Sequence, residues 1–99
     1  MELETLREKL ADILLRSEEP LSASELARML DLDPRRGVRM VYEMLPHVSK
    51  SIRARYGKQV YFEPPTCRKC GFTFSSFKKP HKCPKCGSEW IEPPRFFVR

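Results

Sequence analysis

Four cysteines constrain this chain more than any other feature. They form two Cys-x-x-Cys pairs, Cys67 with Cys70 and Cys83 with Cys86, and a glycine follows each pair. Two intervening residues let both thiolates of a tight turn point at one centre, and a glycine can adopt the positive φ that turns backbone N–H groups toward sulfur. Two such turns supply the four soft ligands of a tetrahedral site. The spacing therefore predicts one bound metal ion, with Zn²⁺ as the preferred ion.

Four protein thiolates leave no open coordination position, which favours a structural site over a catalytic one. Metal binding would contribute on the order of 10 kcal/mol to the folding of a segment that has few large apolar side chains. Iron is the alternative ion, because thiolate tetrads also bind iron. The chain has two histidines, His47 and His81, which we interpret as structural and surface residues. Without a Gly-rich phosphate loop or a nucleophile–base pair, we expect no enzymatic activity.

The composition also bears on the compartment. No apolar run approaches the roughly 20 residues that span a bilayer. The first residues, Met1–Glu4, are acidic where a secretory signal would be basic. We therefore expect a cytoplasmic protein without a membrane partner, in which the cysteines stay reduced and bind metal rather than form disulfides.

Positive charge is concentrated in the later part of the chain. Residues 1–33 carry nine acidic and four basic side chains, whereas residues 34–99 carry fifteen basic and four acidic ones. This asymmetry indicates a polyanionic partner that is bound by one face. Solvated surface charge is the alternative interpretation.

The N-terminal third has the pattern of two helices. Apolar residues recur at helical spacing over residues 2–17, which predicts an amphipathic first helix. Ser22 and Glu25 fit a capping box at the start of a short second helix. Only residues 31–33 separate this helix from the next one, and so tight a connection is typical of a helix-turn-helix.

The third helix is predicted from its capping residues. Asp33 is a suitable N-cap, and Pro34 suits the first helical position because its missing N–H costs nothing there. Pro46 is expected to end or kink the helix near Leu45. Gly37, inside this helix, permits either a close approach to DNA or close packing between helices.

The next segment has the pattern of a β-hairpin. Apolar and polar residues alternate over residues 52–62 on both sides of Gly57, and a loop centred on that glycine would pair Ala54 with Val60 on the buried face. Three helices followed by a hairpin describe a winged helix.

These elements predict an α+β chain with two domains. Residues 1–64 form a winged helix-turn-helix of three helices and a β-hairpin wing. Residues 65–99 form a zinc ribbon whose C-terminal tail packs back on the body.

The cysteine segment resembles rubredoxin, an iron electron carrier, in its Cys-x-x-Cys-Gly and Cys-Pro-x-Cys-Gly turns. The twelve residues between the pairs are far fewer than in rubredoxin, and the segment is basic, so we identify a rubredoxin-like zinc ribbon. The whole chain resembles a small archaeal family of predicted transcriptional regulators that join a winged helix to such a ribbon. The segments that carry the resemblance are residues 21–30, 67–72, 83–86, 88–92 and 94–96.

This resemblance implies binding to double-stranded DNA. The third helix would enter the major groove and the basic hairpin would lie on phosphates. The candidate contacts are Arg35, Arg36 and Arg39 for bases, with Lys50, Arg53, Arg55 and Lys58 for phosphates. Two other roles are open: Arg35 and Arg36 could pair with Asp31, Asp33 or Glu43, and the hairpin cations could serve solubility.

Two further functions are open. The chain could be a protein-interaction module of the transcription apparatus, with an acidic partner facing Lys69, Lys78, Lys79, Lys82 and Lys85. It could also transfer electrons through bound iron. We expect a monomer or a homodimer through the first helix, where Leu15 has no obvious intramolecular role.

Overall fold

The computed structural model describes the backbone of residues 3–99 and the side chains of residues 5–99. Glu2, in the predicted first helix, lies outside the described residues. Residues 3–99 contain three helices, α1 (Leu3–Arg16), α2 (Ala23–Met29) and α3 (Pro34–Tyr56). The same described residues contain five short strands, β1 (Leu21–Ser22), β2 (Val60–Glu63), β3 (Thr66–Cys67), β4 (Ile91–Glu92) and β5 (Arg95–Val98).

The predicted helix starts are confirmed. At α2, the Glu25 N–H donates to the Ser22 hydroxyl, and the Ser22 N–H donates to the Glu25 carboxylate, both at 3.2 Å. At α3, the Asp33 carboxylate accepts the Arg36 N–H at 2.9 Å, and Pro34 occupies the first turn. These side chains satisfy N–H groups that would otherwise have no intrahelical partner.

The predicted end of α3 is wrong, because the helix continues through Pro46 to Tyr56 and is 23 residues long. Its buried stripe continues past the proline, since Val41, Leu45, Val48 and Ile52 are each no more than 4% exposed. Proline inside a helix costs about 3 kcal/mol. Burial of two further apolar side chains offsets that cost, and Pro46 itself lies on the exposed side of the helix.

The predicted hairpin over residues 52–62 is therefore also wrong. Gly57 does not lie in a hairpin loop; it ends α3 in the left-handed conformation, with φ 66°, and its N–H donates to the Arg53 carbonyl at 3.1 Å. Ala54 is helical and exposed. Alternation of apolar residues misled the prediction, because Ile52 and Tyr56 are spaced as well for a helix as for a strand.

The strand that follows Gly57 pairs with the C-terminal end of the chain. In the antiparallel β2–β5 pair, Val60 is opposite Val98 and Phe62 is opposite Phe96. The sheet order is β1-β5-β2, so β5 lies at its centre. Phe96 is 2% exposed and belongs to the same buried cluster as the helices. The C-terminal strand is thus an integral part of the helical core.

The cysteine segment is inserted between β2 and β5. Its base is the two-stranded pair β3–β4, in which Thr66 is opposite Glu92 and Cys67 is opposite Ile91. A second, smaller buried cluster consists of Cys67, Cys83 and Ile91. The chain therefore leaves the main sheet, forms the cysteine unit and returns to the same sheet.

Gly37 allows close contact between helices. A Cβ at this position would lie 2.7 Å from the Leu32 Cβ and 3.0 Å from the Ala27 Cβ. Real Cβ atoms do not approach other carbons so closely, so the glycine lets α3 and α2 pack against each other. Of its two predicted roles, helix packing is the one observed, and the residue is buried.

Candidate metal centre and nucleic-acid interface

The two cysteine turns share one backbone plan. In the first, the Gly71 N–H donates to the Cys67 carbonyl at 2.8 Å; in the second, the Gly87 N–H donates to the Cys83 carbonyl at 2.9 Å. The two glycines have φ of 79° and 75°. Left-handed backbone is open to glycine without steric cost, which confirms the predicted reason for a glycine after each pair.

The four thiols converge on one point. The Sγ atoms of Cys67 and Cys86 are 3.5 Å apart, those of Cys70 and Cys83 are 3.6 Å apart, and all four lie within 4.8 Å of one another. Zinc–thiolate bonds of about 2.3 Å place the sulfurs of a tetrahedron about 3.8 Å apart. None of these cysteines is in a disulfide. The donor set and spacing fit one structural Zn²⁺.

In each turn, the first cysteine is buried and the second is exposed. Cys67 and Cys83 are 2% and 1% exposed, whereas Cys70 and Cys86 are exposed. Phe72 and Phe74 pack against the buried side, with their ring centroids 5.0 Å apart in a T-shaped contact. This apolar shell is small, so we expect the fold of the cysteine unit to depend on the metal.

The backbone around the first turn favours a thiolate. The N–H groups of Cys70 and Lys69 stabilise the Cys67 thiolate and lower the pKa of that thiol to about 6, although burial opposes this. At Cys70, the Phe72 N–H acts in the same direction. Burial and the neighbouring thiols oppose it there and raise the pKa of Cys70 to about 11. The negative charge of one thiolate disfavours ionisation of a neighbouring thiol, and a divalent cation offsets this repulsion.

The second turn repeats the arrangement. Burial works against ionisation of Cys83, but N–H groups of Cys86 and Lys85 outweigh it and lower the pKa of Cys83. The pKa of the first cysteine is thus lowered in both turns.

A carboxylate joins the base of the ribbon to the main sheet. Glu92 in β4 accepts from Arg95 at 2.6 Å and also pairs with Arg68. Arg95, and then Arg68, lower the pKa of Glu92. The Arg95 guanidinium also lies 3.9 Å from Glu25, so the same side chain reaches α2.

The long α3 places four of the candidate DNA contacts on one outer face. A helix has 3.6 residues per turn, so residues 18 apart, or 4 and 11 apart, project in similar directions. We call Arg35, Arg39, Lys50 and Arg53 the basic stripe. All four are exposed. The stripe extends over about 27 Å of helix, and Pro46 lies within it.

The other three candidates lie elsewhere. Arg36 projects about 100° from Arg35. Arg55 projects away from Arg53, because residues two apart lie on nearly opposite sides of a helix. It lines a groove between α1 and α3, which Lys50 of the stripe also reaches. Lys58 follows the end of α3 and is exposed. The structure therefore does not gather Arg53, Arg55 and Lys58 on one strand face.

The predicted alternative role for the arginines is not observed. In the described part of the chain, no ion pair joins Arg35 or Arg36 to Asp31, Asp33 or Glu43. The Asp33 carboxylate instead caps α3 through the Arg36 backbone N–H. Arg35 and Arg36 are exposed at this end of the helix.

Sequence reasoning missed a contact between the ribbon and α3. The Lys79 N–H donates to the Tyr42 hydroxyl at 3.3 Å, and the Phe77 ring meets the Tyr42 ring edge-on at 6.3 Å. Burial raises the pKa of Tyr42, although the Lys79 N–H acts in the opposite direction. No signal in the sequence pairs Tyr42 with a residue 37 positions away.

Two other expectations can be compared with the structure. Leu15 is half-buried and packs against the main cluster, so it has an intramolecular role. Among residues 3–99, no helix combines the length and hydropathy needed to cross a bilayer.

The chain is similar along its length to known sequences and to a solved structure. The family model described as PF0610-like, N-terminal, matches residues 5–61, and that of the PF0610 rubredoxin-like zinc beta-ribbon domain matches residues 64–99. A solution NMR structure of protein PF0610 from Pyrococcus furiosus is 42% identical, with a TM-score of 0.81. The match covers 100% of this chain and 92% of that one. No curated protein matches the chain.

The matched residues include the four cysteines and α3 with its basic stripe. The chain therefore belongs to the PF0610-like family and joins that family's N-terminal domain to its rubredoxin-like zinc ribbon.

Proposed function

We propose that the chain is a non-enzymatic regulator of transcription that binds double-stranded DNA through α3. In this proposal, α2 and α3 form a helix-turn-helix, and β2 and β5 form the wing of a winged helix. The zinc ribbon occupies the position of the wing's loop. The order β1-β5-β2 and the packing of Phe96 on the helices support this assignment.

The observation that carries the proposal is the basic stripe. One side of α3 is buried against the core, and α2 packs closely against it at Gly37. The opposite side presents Arg35, Arg39, Lys50 and Arg53 to solvent. A helix that packs against the core on one side and carries cations on the opposite side can lie in the major groove of a duplex.

The length of the stripe suggests a division of roles. A major groove is about 12 Å wide, so a stripe of about 27 Å extends beyond it. Arg35 and Arg39 lie at the N-terminal end, where recognition helices meet base edges, and arginine can contact guanine through two hydrogen bonds. Lys50 and Arg53 would contact phosphates and fix the register.

The test is a salt titration of duplex binding with two charge-matched double variants. Arg35→Ala with Arg39→Ala removes the N-terminal half of the stripe. Arg16→Ala with Arg55→Ala removes the same charge from helical positions outside it. We expect the first pair to weaken binding and to relax sequence preference by about 1–3 kcal/mol per lost guanine contact. The second pair should preserve the preference.

The salt dependence provides a second readout from the same titration. Binding through phosphates should weaken as salt rises, because each neutralised phosphate releases counterions. Affinity that is insensitive to salt, or equal effects of the two double variants, would argue against a DNA-binding role for α3.

An exposed tryptophan favours a second candidate function, docking to an acidic protein of the transcription apparatus. Trp90 is 61% exposed, and the Arg68 guanidinium lies 5.6 Å from its ring centroid. Exposed tryptophan and arginine are enriched where proteins bind each other tightly. The chain would then retain purified RNA polymerase or a general transcription factor, Trp90→Ala would abolish retention, and no duplex would bind at low salt.

A further inference from the structure

A groove lies where the ribbon meets α3. It encloses about 520 Å³. Its lining includes Arg39, Tyr42 and Glu43 from α3 and Lys78, Lys79 and Glu89 from the ribbon. Arg39 belongs to the basic stripe, so the groove opens beside the proposed DNA-binding face.

The ribbon side of this groove is held by the main core. Phe77 packs against the main buried cluster and against the Tyr42 ring. The adjacent Lys79 backbone is fixed through its N–H to the Tyr42 hydroxyl at 3.3 Å. Lys78 and Lys79 therefore have a defined position relative to α3, even though their side chains are exposed.

The charges in the groove favour an anion. Three permanent cations, Arg39, Lys78 and Lys79, line it together with two carboxylates, Glu43 and Glu89. In the described part of the chain, neither lysine has an ion-pair partner. The Lys78 ammonium lies 5.8 Å from the Phe77 ring centroid, a contact that leaves its charge available.

We infer that Lys78 and Lys79 bind backbone phosphates of the same DNA duplex that α3 contacts, so that the zinc ribbon is part of the nucleic-acid interface. This inference rests on the proposed function. A duplex that lies on Arg35 and Arg39 brings a phosphate strand to the edge of the helix, which is where the groove opens. Lysine suits this role because it binds phosphate as a point charge without reading sequence.

The test compares two double variants of the zinc-loaded full chain. Lys78→Ala with Lys79→Ala removes two charges from the groove. Lys69→Ala with Lys85→Ala removes two charges from the cysteine turns of the same ribbon, where neither side chain lines the groove. Zinc content is measured on each variant, so that loss of the ribbon fold is detected independently of binding.

Each phosphate contact contributes about 0.9 to the slope of log affinity against log salt. For Lys78→Ala with Lys79→Ala, the groove variant, we therefore expect the magnitude of that slope to fall by about 1–2. Its binding should be weakened by the same factor on every duplex sequence. The control variant should keep the parental slope.

Three results would overturn the inference. Equal slopes for the two variants would mean that the ribbon acts only through its overall charge. An unchanged slope in the groove variant, while Arg35→Ala with Arg39→Ala weakens binding, would leave the proposed function intact and remove the ribbon from the interface. A parent chain that binds no duplex would overturn the proposed function, and this inference with it.

Discussion

Phe62 of β2 and Phe96 of β5 are opposite each other in an antiparallel pair, with ring centroids 6.2 Å apart, although the whole cysteine unit lies between them in sequence. The core of the helical half is therefore completed by a residue that follows the metal site. Folding of the two halves should be coupled for this reason, because the loop between β2 and β5 becomes more costly to close when its own structure is lost.

Removal of the Phe96 ring should destabilise the helical half. Phe96 is 2% exposed, and truncation of a buried phenylalanine costs about 3–5 kcal/mol. Phe96→Ala should therefore lower the free energy of unfolding by about that amount, as measured by urea denaturation followed through helical circular dichroism. Phe97→Ala is the matched control, because Phe97 is only half-buried and stacks on Tyr61. Equal losses in the two variants would contradict the assignment of Phe96 to the helical core.

A methyl group at Gly37 should disturb the contact between α2 and α3. The added Cβ would lie 2.7 Å from Leu32, so neighbouring atoms must move, and overpacking of this kind costs about 1–3 kcal/mol. The intrinsic helix preference of alanine over glycine acts in the opposite direction by about 1 kcal/mol. Gly37→Ala should still be less stable in denaturant titrations, whereas Ser51→Ala, at an exposed position of the same helix, should change stability little. A stabilised Gly37→Ala variant would disprove the close contact.

Arg53 and Arg55 should differ in their effects on DNA binding. Both are in α3, but Arg53 belongs to the basic stripe, whereas Arg55 lines the groove between α1 and α3 and not the one beside the ribbon. Arg53→Ala should lower the magnitude of the slope of log affinity against log salt by about 0.9, the amount expected for one phosphate contact. Arg55→Ala should leave that slope unchanged. If the two substitutions had the same effect, the two side chains would have to lie on one face, as they would in the hairpin that the sequence suggested.

Zinc retention should depend on pH in a defined direction. A thiol has an ordinary pKa of about 8.5, and the folded chain lowers that of Cys67 to about 6. A group with a lowered pKa stabilises the fold at pH values above its ordinary pKa, and this contribution is lost as the pH falls through the folded value. Protons compete with zinc at all four sulfurs, including Cys70 with its raised pKa, so we expect the ion to be held at neutral and alkaline pH and to be released on acidification. A colorimetric zinc indicator would report the release, and release already near neutral pH would contradict the expectation.

The sequence predicts local features of this chain better than its long-range pairing. The capping box at Ser22 and the glycine after each cysteine pair act within a few residues, so their chemistry can be read directly. The end of α3 depends on whether burial of Val48 and Ile52 outweighs the cost of Pro46, and that balance is decided by how these side chains pack in the main buried cluster.

The strand partners were beyond sequence reasoning for a related reason. The alternation over residues 52–62 predicts a strand through Val60 and Phe62, and both lie in β2, where Val60 is half-buried and Phe62 is exposed. Their partners lie after the cysteine unit, and nothing in a local alternation pattern distinguishes a near partner from a distant one. The docking of Lys79 on Tyr42 is of the same kind, because it depends on where the inserted ribbon returns to the body.

The metal itself has a simple signature. Zinc has no visible absorption, so a protein that holds one equivalent of zinc should be colourless, whereas a four-thiolate iron site would make it red. Metal analysis of the purified chain, with its visible spectrum, distinguishes the two ions. One zinc per chain is expected.

Amide hydrogen exchange on the zinc-loaded and chelator-treated chain tests the central claim most directly, namely that one zinc ion orders the ribbon and thereby supports the β2–β5 pair. In the zinc-loaded chain, we expect protected amides at Cys67 and Cys83, whose N–H groups donate to the Phe72 and Ser88 carbonyls at 2.8 Å. After chelation, protection should vanish throughout residues 66–92 and weaken in β2 and β5, while α1 is affected least. Full protection of the ribbon amides without metal would contradict the account.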